Sequence, residues 1–242
     1  MNGVTWFGHS TVVVEIDGTR LVTDPLLGRR VAHLRRADSV PRAALGRLDG
    51  VLVSHVHLDH LDVPSLKRLE RSLPMVVPLR ADRMVRRRGF DHVLEVDAGD
   101  EIRLGAVRVE ATHAEHGVVR RLLRDRSPAL GFVIRGSRSV YFAGDTDVFE
   151  GMADLRPVDV AILPVAGWGP RLPPGHLDPA GAARALQLVE PATAVPVHWG
   201  TYRPWFAAPA DDEPARAFAR AAAEVAPGVD VRILRLGETL RF

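Results

Sequence analysis

The chain has 242 residues, 46% of them hydrophobic, enough for a sizeable core in one domain spanning 1–242. Its formal charge is only +2 although the sequence pI is about 9.6. Lys67 is the sole lysine, so arginine carries nearly all the positive charge and the pI is a poor argument for nucleic acid. There is no cysteine, which excludes disulfides, thiolate metal sites and a cysteine nucleophile. No apolar run reaches the roughly 18 residues of a membrane span. Met1–Trp6 lacks a basic segment followed by an apolar one, so a cytoplasmic protein is expected.

Strand-like runs dominate the first half: Thr11–Ile16, Arg20–Thr23, Val51–Ser54, Met75–Val77 and His92–Val96. Helix-like segments at Pro64–Ser72 and Arg80–Arg88 separate them. Further strands are expected at Glu101–Leu104, Val107–Thr112, Leu130–Arg135 and Ser139–Ala143. Asp159–Val165 is a near-continuous apolar strand. Asp178 is then placed to cap a helix with Pro179 at its first position, running to about Val189. Ala194–Val197, a helix over Glu213–Val225, and strands at Val231–Leu234 and Thr239–Phe242 complete the chain. Period-2 runs mixed with helices argue for sheets covered by helices, and the similar content of each half fits two related halves packed together.

Chemistry concentrates in Ser54-His55-Val56-His57-Leu58-Asp59-His60, directly after the apolar Gly50–Val53. Four metal-capable side chains fall within six residues where a buried strand emerges into a loop. His55 and His57 project the same way from an extended backbone, and a turn can aim Asp59 and His60 at a second ion. Imidazole with carboxylate suits zinc, manganese or iron. Three more strand ends carry ligand-type residues: Val107–Thr112 runs into His113-Ala114-Glu115-His116, Ser139–Ala143 into Gly144-Asp145-Thr146, and Ala194–Val197 into His198-Trp199-Gly200. The spacing leaves His113 and His116 as alternatives.

These motifs together resemble the metallo-β-lactamase superfamily. Phe7-Gly8-His9-Ser10, Val22-Thr23-Asp24-Pro25 and Gly175-His176-Leu177-Asp178-Pro179 resemble the branch containing ascorbate-6-phosphate lactonase and the phospholipase D that cleaves N-acyl-phosphatidylethanolamine. The resemblance implies an α/β fold, an αββα sandwich of two facing mixed sheets with helices outside. It also implies two divalent ions, zinc first and manganese next. His55, His57 and His116 would hold one, Asp59, His60 and His198 the other, with Asp145 bridging. His116 is preferred over His113 because Ala114-Glu115-His116 fits the family pattern. His9 and Asp24 would orient ligands. His176 would stabilise an oxyanion or protonate the leaving group, and Asp59 would double as proton acceptor.

The implied chemistry is hydrolysis of a small anionic ester, a phosphodiester or a lactone, by hydroxide bridging the ions. The same fold hosts iron-dependent oxidoreductases and nucleases, the two alternatives. Neither a flavin module nor a substrate-clamping domain is in evidence, so no nucleic-acid partner is expected. Arg120 and Asp125 resemble a pair in the phospholipase-like relatives, but the spacing to Asp125 is off by one and Leu130-Gly131-Phe132 lacks the usual tryptophan. Trp199, Tyr202 and Trp205 wall a pocket or belong to the core, Arg86–Arg88 make a solvated helical face, and His33 and His92 are surface or structural.

Overall fold

The structure, a computed structural model, describes residues 2–36, 40, 42–116, 127–167, 172–204 and 211–242. In the first half lie β1 (Gly3–Trp6), β2 (Val12–Ile16), β3 (Thr19–Thr23), β4 (Arg30–Val31), β5 (Leu34–Arg36), β6 (Gly50–Leu52), α1 (Val63–Leu66), β7 (Met75–Pro78), α2 (Asp82–Arg86) and β8 (Val93–Val96). The second half holds β9 (Glu101–Leu104), β10 (Val107–His113), β11 (Leu130–Arg135), β12 (Ser139–Phe142), β13 (Val160–Pro164), α3 (Pro179–Val189), β14 (Thr193–Val197), β15 (Tyr202–Pro204), α4 (Glu213–Val225), β16 (Asp230–Val231) and β17 (Thr239–Arg241).

Two seven-stranded sheets, ordered β17-β1-β2-β3-β6-β7-β8 and β16-β14-β13-β12-β11-β10-β9, share one design. In the first, β17 to β3 pair antiparallel, and β6, β7 and β8 extend the sheet in parallel. In the second, β9 to β12 pair antiparallel, and β13, β14 and β16 follow in parallel. Antiparallel neighbours need only short turns, whereas the parallel additions require crossovers, and that is where the helices lie.

Alternation along each strand decides the layers. Val12, Val14 and Ile16 meet Val109, Phe132, Ile134 and Phe142 between the sheets. Val13, Val22, Val51, Met75 and Val77 point outward under Leu66 of α1 and Val85 of α2. Tyr141, Ala161 and Leu163 do the same under Ala182, Leu186 and Phe218 of α3 and α4. The layers therefore run helix, sheet, sheet, helix, the αββα sandwich expected.

The expected helix over Pro64–Ser72 is a correction. α1 ends at Leu66, and Arg68, Leu69 and Leu73 then donate to carbonyls three residues back. Through these tight turns Leu69 and Leu73 both stay packed in the cluster on the sheet. The helix expected over Arg80–Arg88 shortens to α2, and the strand expected over Val231–Leu234 is replaced by β16, which shares only Val231 with it. β1 and a third sheet, β15-β5-β4, are absent from the sequence-based assignment. The third sheet covers Leu26 with Val31, Leu34 and Tyr202.

Candidate metal centre

The first ligand loop leaves β6, a wholly buried parallel strand. His60 and Leu61 both donate backbone N–H groups to the His57 carbonyl, closing a turn. That turn buries Asp59 and His60 and leaves Leu58 outside, 67% exposed. Asp62 then accepts from the Ser65 N–H to start α1. Gly144 serves the facing half: its φ is +63°, and a β-carbon there would stand 2.6 Å from the Leu130 carbonyl oxygen. A side chain at this position would displace Asp145.

Three imidazoles meet on one side. His55 Nε2 lies 2.9 Å from His57 Nδ1, and His116 Nε2 lies 3.2 Å from the same atom. Ligand nitrogens around a tetrahedral ion at about 2.0–2.1 Å stand roughly 3.3 Å apart, so this trio has the spacing of a metal site. On the other side, His60 Nε2 is 3.2 Å from Asp59 and 3.3 Å from Asp145. His198 Nε2 is 3.5 Å and 3.4 Å from the same two carboxylates. Asp145 lies between the groups, within reach of His55 and His60 on one hand and of His116 and His176 on the other.

Protons on the outer ring nitrogens settle which atoms face inward. His116 Nδ1 donates to the Gly175 carbonyl and His198 Nδ1 to the Ala166 carbonyl, each at 2.8 Å. His60 Nδ1 donates to Asp24 at 2.7 Å. Ser54 spends its single hydroxyl proton on the same carboxylate, so the 3.0 Å contact to His55 Nδ1 must be donated by the ring. All four histidines thus present an unprotonated Nε2 to the centre when neutral. Buried His60 Nε2, His198 Nε2 and Asp145 Oδ1 have no hydrogen-bond partner among the described residues. Native interiors rarely leave such atoms unpaired, and a cation between them satisfies all three.

The electrostatics agree with that donor set. Burial pushes His116 down to about 4 and, with the charge of His198, pushes His9 down to about 3. Burial also opposes charge on His198, but Asp145 and Asp59 outweigh it and hold it up at about 9. Burial opposes ionisation of Asp59 and Asp145, yet the surrounding histidines keep both well below the usual carboxylate range. His9 Nε2 donates to Asp59 at 2.9 Å, and its ring lies 3.9 Å from that of His198. His9, Asp24 and His198 all adopt the left-handed backbone region, with φ of 52°, 36° and 66°. Non-glycine residues hold that conformation at a cost of about 1–3 kcal/mol only where the surroundings impose it.

All seven residues assigned by resemblance as ligands converge here, with His9, Asp24 and His176 around them. His176 Nε2 is 3.5 Å from Asp145, and its Nδ1 donates to the Pro173 carbonyl. His113 instead stands exposed on the rim, 3.3 Å from Glu115. Trp199 stacks on Trp6 at 4.7 Å against the core between the sheets. Tyr202 donates to the Gly28 carbonyl, and His33 and His92 are exposed. Arg120, Asp125, Trp205 and residues 168–171 of the His176 loop lie outside the described residues.

Two contributors escape the sequence reading. Ser54 is marked only by being a small hydroxyl between an apolar strand and a ligand. Arg36 carries no signal at all. Buried on β5, it donates to the Phe7 and Leu26 carbonyls and so ties the His9 loop to the chain just after Asp24.

The sequence matches the family described as "Beta-lactamase superfamily domain" over residues 19–199. It is 34% identical over 225 residues to an uncharacterized protein of Mycobacterium tuberculosis, covering 84% of this chain and 60% of that one, so the chain spans less than two thirds of that relative. A UPF0173 metal-dependent hydrolase of Methanopyrus kandleri is 32% identical, with 98% of both chains covered. An N-acyl-phosphatidylethanolamine-hydrolyzing phospholipase D of Caenorhabditis elegans is 31% identical over 82% of this chain and 64% of its own. Among solved structures, a metallo hydrolase from Ignicoccus hospitalis superposes with a TM-score of 0.76 at 24% identity, covering 100% and 99% of the two chains. CmlA, a diiron beta-hydroxylase from Streptomyces venezuelae, gives 0.78 at 24% identity, covering 100% of this chain and 54% of its own. No helix among the described residues is long and apolar enough to cross a membrane.

Proposed function

The chain belongs to the metallo-β-lactamase superfamily, and we propose that it is a hydrolase of a small anionic ester, a phosphodiester or a lactone, working with two divalent ions. His55, His57 and His116 would hold one ion, Asp59, His60 and His198 the other, and Asp145 both. The observation that carries this proposal is the set of inward-facing, buried atoms His60 Nε2, His198 Nε2 and Asp145 Oδ1, which have no hydrogen-bond partner among the described residues. Zinc is the first choice of ion and manganese the second, because every donor is nitrogen or oxygen. The names of the Methanopyrus and Caenorhabditis relatives support hydrolysis and, for the second, a phosphodiester.

Bound divalent ions supply an acidified water and a positive charge against the negative charge that develops on the substrate. The chain's own residues do the rest. Asp24 fixes the rings of His55 (through Ser54) and His60 with one carboxylate. Asp59, ionised and steadied by the Nε2–H of His9, accepts the proton of the attacking water at Oδ1 or Oδ2. With Nδ1–H committed to Pro173, His176 can offer a proton at Nε2 to the leaving oxygen.

Metal analysis of the purified protein, followed by a screen of lactones and phosphodiesters with zinc and manganese, tests the proposal. About two equivalents of metal and hydrolysis of at least one class are expected. His60→Ala should lower bound metal and remove turnover. Undiminished turnover in metal-free protein, or oxygen consumption with bound iron and no hydrolysis, would overturn it.

A further inference from the structure

The Arg86-Arg87-Arg88 run, read from sequence as a solvated helical face, divides in the structure. Arg86 is spent on the fold: it donates to the Asp91 and Val93 carbonyls at 2.8 Å each and lies 3.6 Å from Asp82. Arg87 and Arg88 turn instead into an open groove of about 770 Å³ between α1 and α2, together with Lys67 and Arg71. All four are exposed, and none has a carboxylate partner among the described residues. Val63 and Pro64 line the groove with apolar surface, and none of its residues belongs to the metal centre.

One contact places Arg71 against the loop that follows α2. Gly89 has φ +89°, and a β-carbon there would stand 2.8 Å from Arg71 Nη1. The missing side chain lets the guanidinium of Arg71 lie against the loop beside Arg88. Like charges gathered this way repel, whereas Arg138 is paired with Asp159, Arg156 with Glu190, and Arg216 with Asp212. Three guanidinium forks and an ammonium facing one cavity match an anion with several closely spaced oxyanion groups.

We infer that this groove is a second binding site, for a small ligand carrying adjacent phosphates, such as a di- or triphosphate group. Four cations in one cavity suit a compact polyanion better than a nucleic-acid backbone, which needs a longer basic stripe.

Calorimetric titration of the metal-loaded protein at low salt with orthophosphate, pyrophosphate and tripolyphosphate tests the site. Tripolyphosphate should bind at least about tenfold more tightly than orthophosphate, since each added charge-assisted contact is worth about a factor of ten. Arg71→Glu/Arg88→Glu should weaken it by at least that factor while leaving metal content and ester turnover unchanged. Lys67→Gln/Arg87→Gln, which removes charge without reversing it, should weaken it less, and it serves if the first variant misfolds. Equal tripolyphosphate affinity in wild type and in either folded variant would overturn the inference by placing the anion at the metal centre. So would binding of a long RNA or of phosphatidylserine vesicles without any binding of tripolyphosphate.

Discussion

The two halves of the sandwich share a strand plan but supply the metal centre in opposite ways. In the first half one loop after β6 delivers His55, His57, Asp59 and His60, and a single carboxylate, Asp24, orients two of them. In the second half His116, Asp145 and His198 arrive singly from the ends of β10, β12 and β14, and backbone carbonyls of Gly175 and Ala166 hold the two rings. One half depends on a replaceable side chain and the other on main chain. The first is open to mutation at its anchor, and the second is sensitive to how its loops are held.

The largest effect that breaks this contrast is expected at Asp24. Its Oδ1 accepts from the Ser54 N–H and its Oδ2 from both the Ser54 hydroxyl and His60 Nδ1, all in a site of 0% exposure. In Asp24→Asn one of these positions becomes an N–H₂ facing another donor, so the isosteric change cannot be neutral. Metal affinity should fall about 10–100-fold, as for other groups that orient ligands, and thermal stability should fall with it. Chelator competition measures this, and an affinity within about twofold of wild type would mean that Asp24 does not anchor the loop.

The same contrast explains what could be read in advance. His55 to His60 are legible because no packing requirement explains four metal-capable side chains in six residues. His116, Asp145 and His198 are each ordinary at a strand end, and only their recurrence pointed to a shared centre. Apolar alternation, a local property, argued for sheets covered by helices, and the αββα layering was implied by the family resemblance. The small β15-β5-β4 sheet was missed, because strands of two or three residues leave no periodicity to detect. Arg36 was hidden with it, being one of two adjacent arginines whose buried role depends on pairing with distant Tyr202. Ser54 and the left-handed φ values of His9 and His198 arise from tertiary contacts that no short stretch of sequence encodes.

A smaller effect sharpens the comparison within the second half. His116 and His198 share the same 2.8 Å anchor to a carbonyl, yet one is pushed down to about 4 and the other held up at about 9. Burial acts on both; around His198 it is outweighed by Asp145 and Asp59, whereas around His116 it outweighs Asp145 and the Gly175 carbonyl, with His176 and His57 adding to the fall. In metal-free protein the unfolded chain titrates both near 6.5. Below that value the unfolded state binds the proton that buried His116 refuses, so stability falls as pH drops from 6.5 through 4. Above it the stability that charged His198 contributes is lost as pH rises from 6.5 through 9. His9 adds to the acid side, and His60, raised by Asp145, Asp59 and Asp24 against its burial, adds to the alkaline side. The Tm of chelator-treated protein should therefore peak near pH 6.5, and a Tm still climbing at pH 8 would contradict the assignment of charges.

The smallest effect belongs to Leu58, which sits between two ligands of the dense loop and yet contributes nothing to their geometry. The turn closed on the His57 carbonyl sends Asp59 and His60 inward and leaves this leucine 67% exposed. Leu58→Ser should change stability by no more than about 0.5 kcal/mol, as for other surface positions, and should leave metal content unaltered. Its neighbours His57 and Asp59 should behave as ligands, so one tolerant position would stand between intolerant ones. If Leu58→Ser instead lowers bound metal as far as His60→Ala does, the loop acts as one cooperative unit, and the backbone turn rather than the individual ligands controls the first half of the centre.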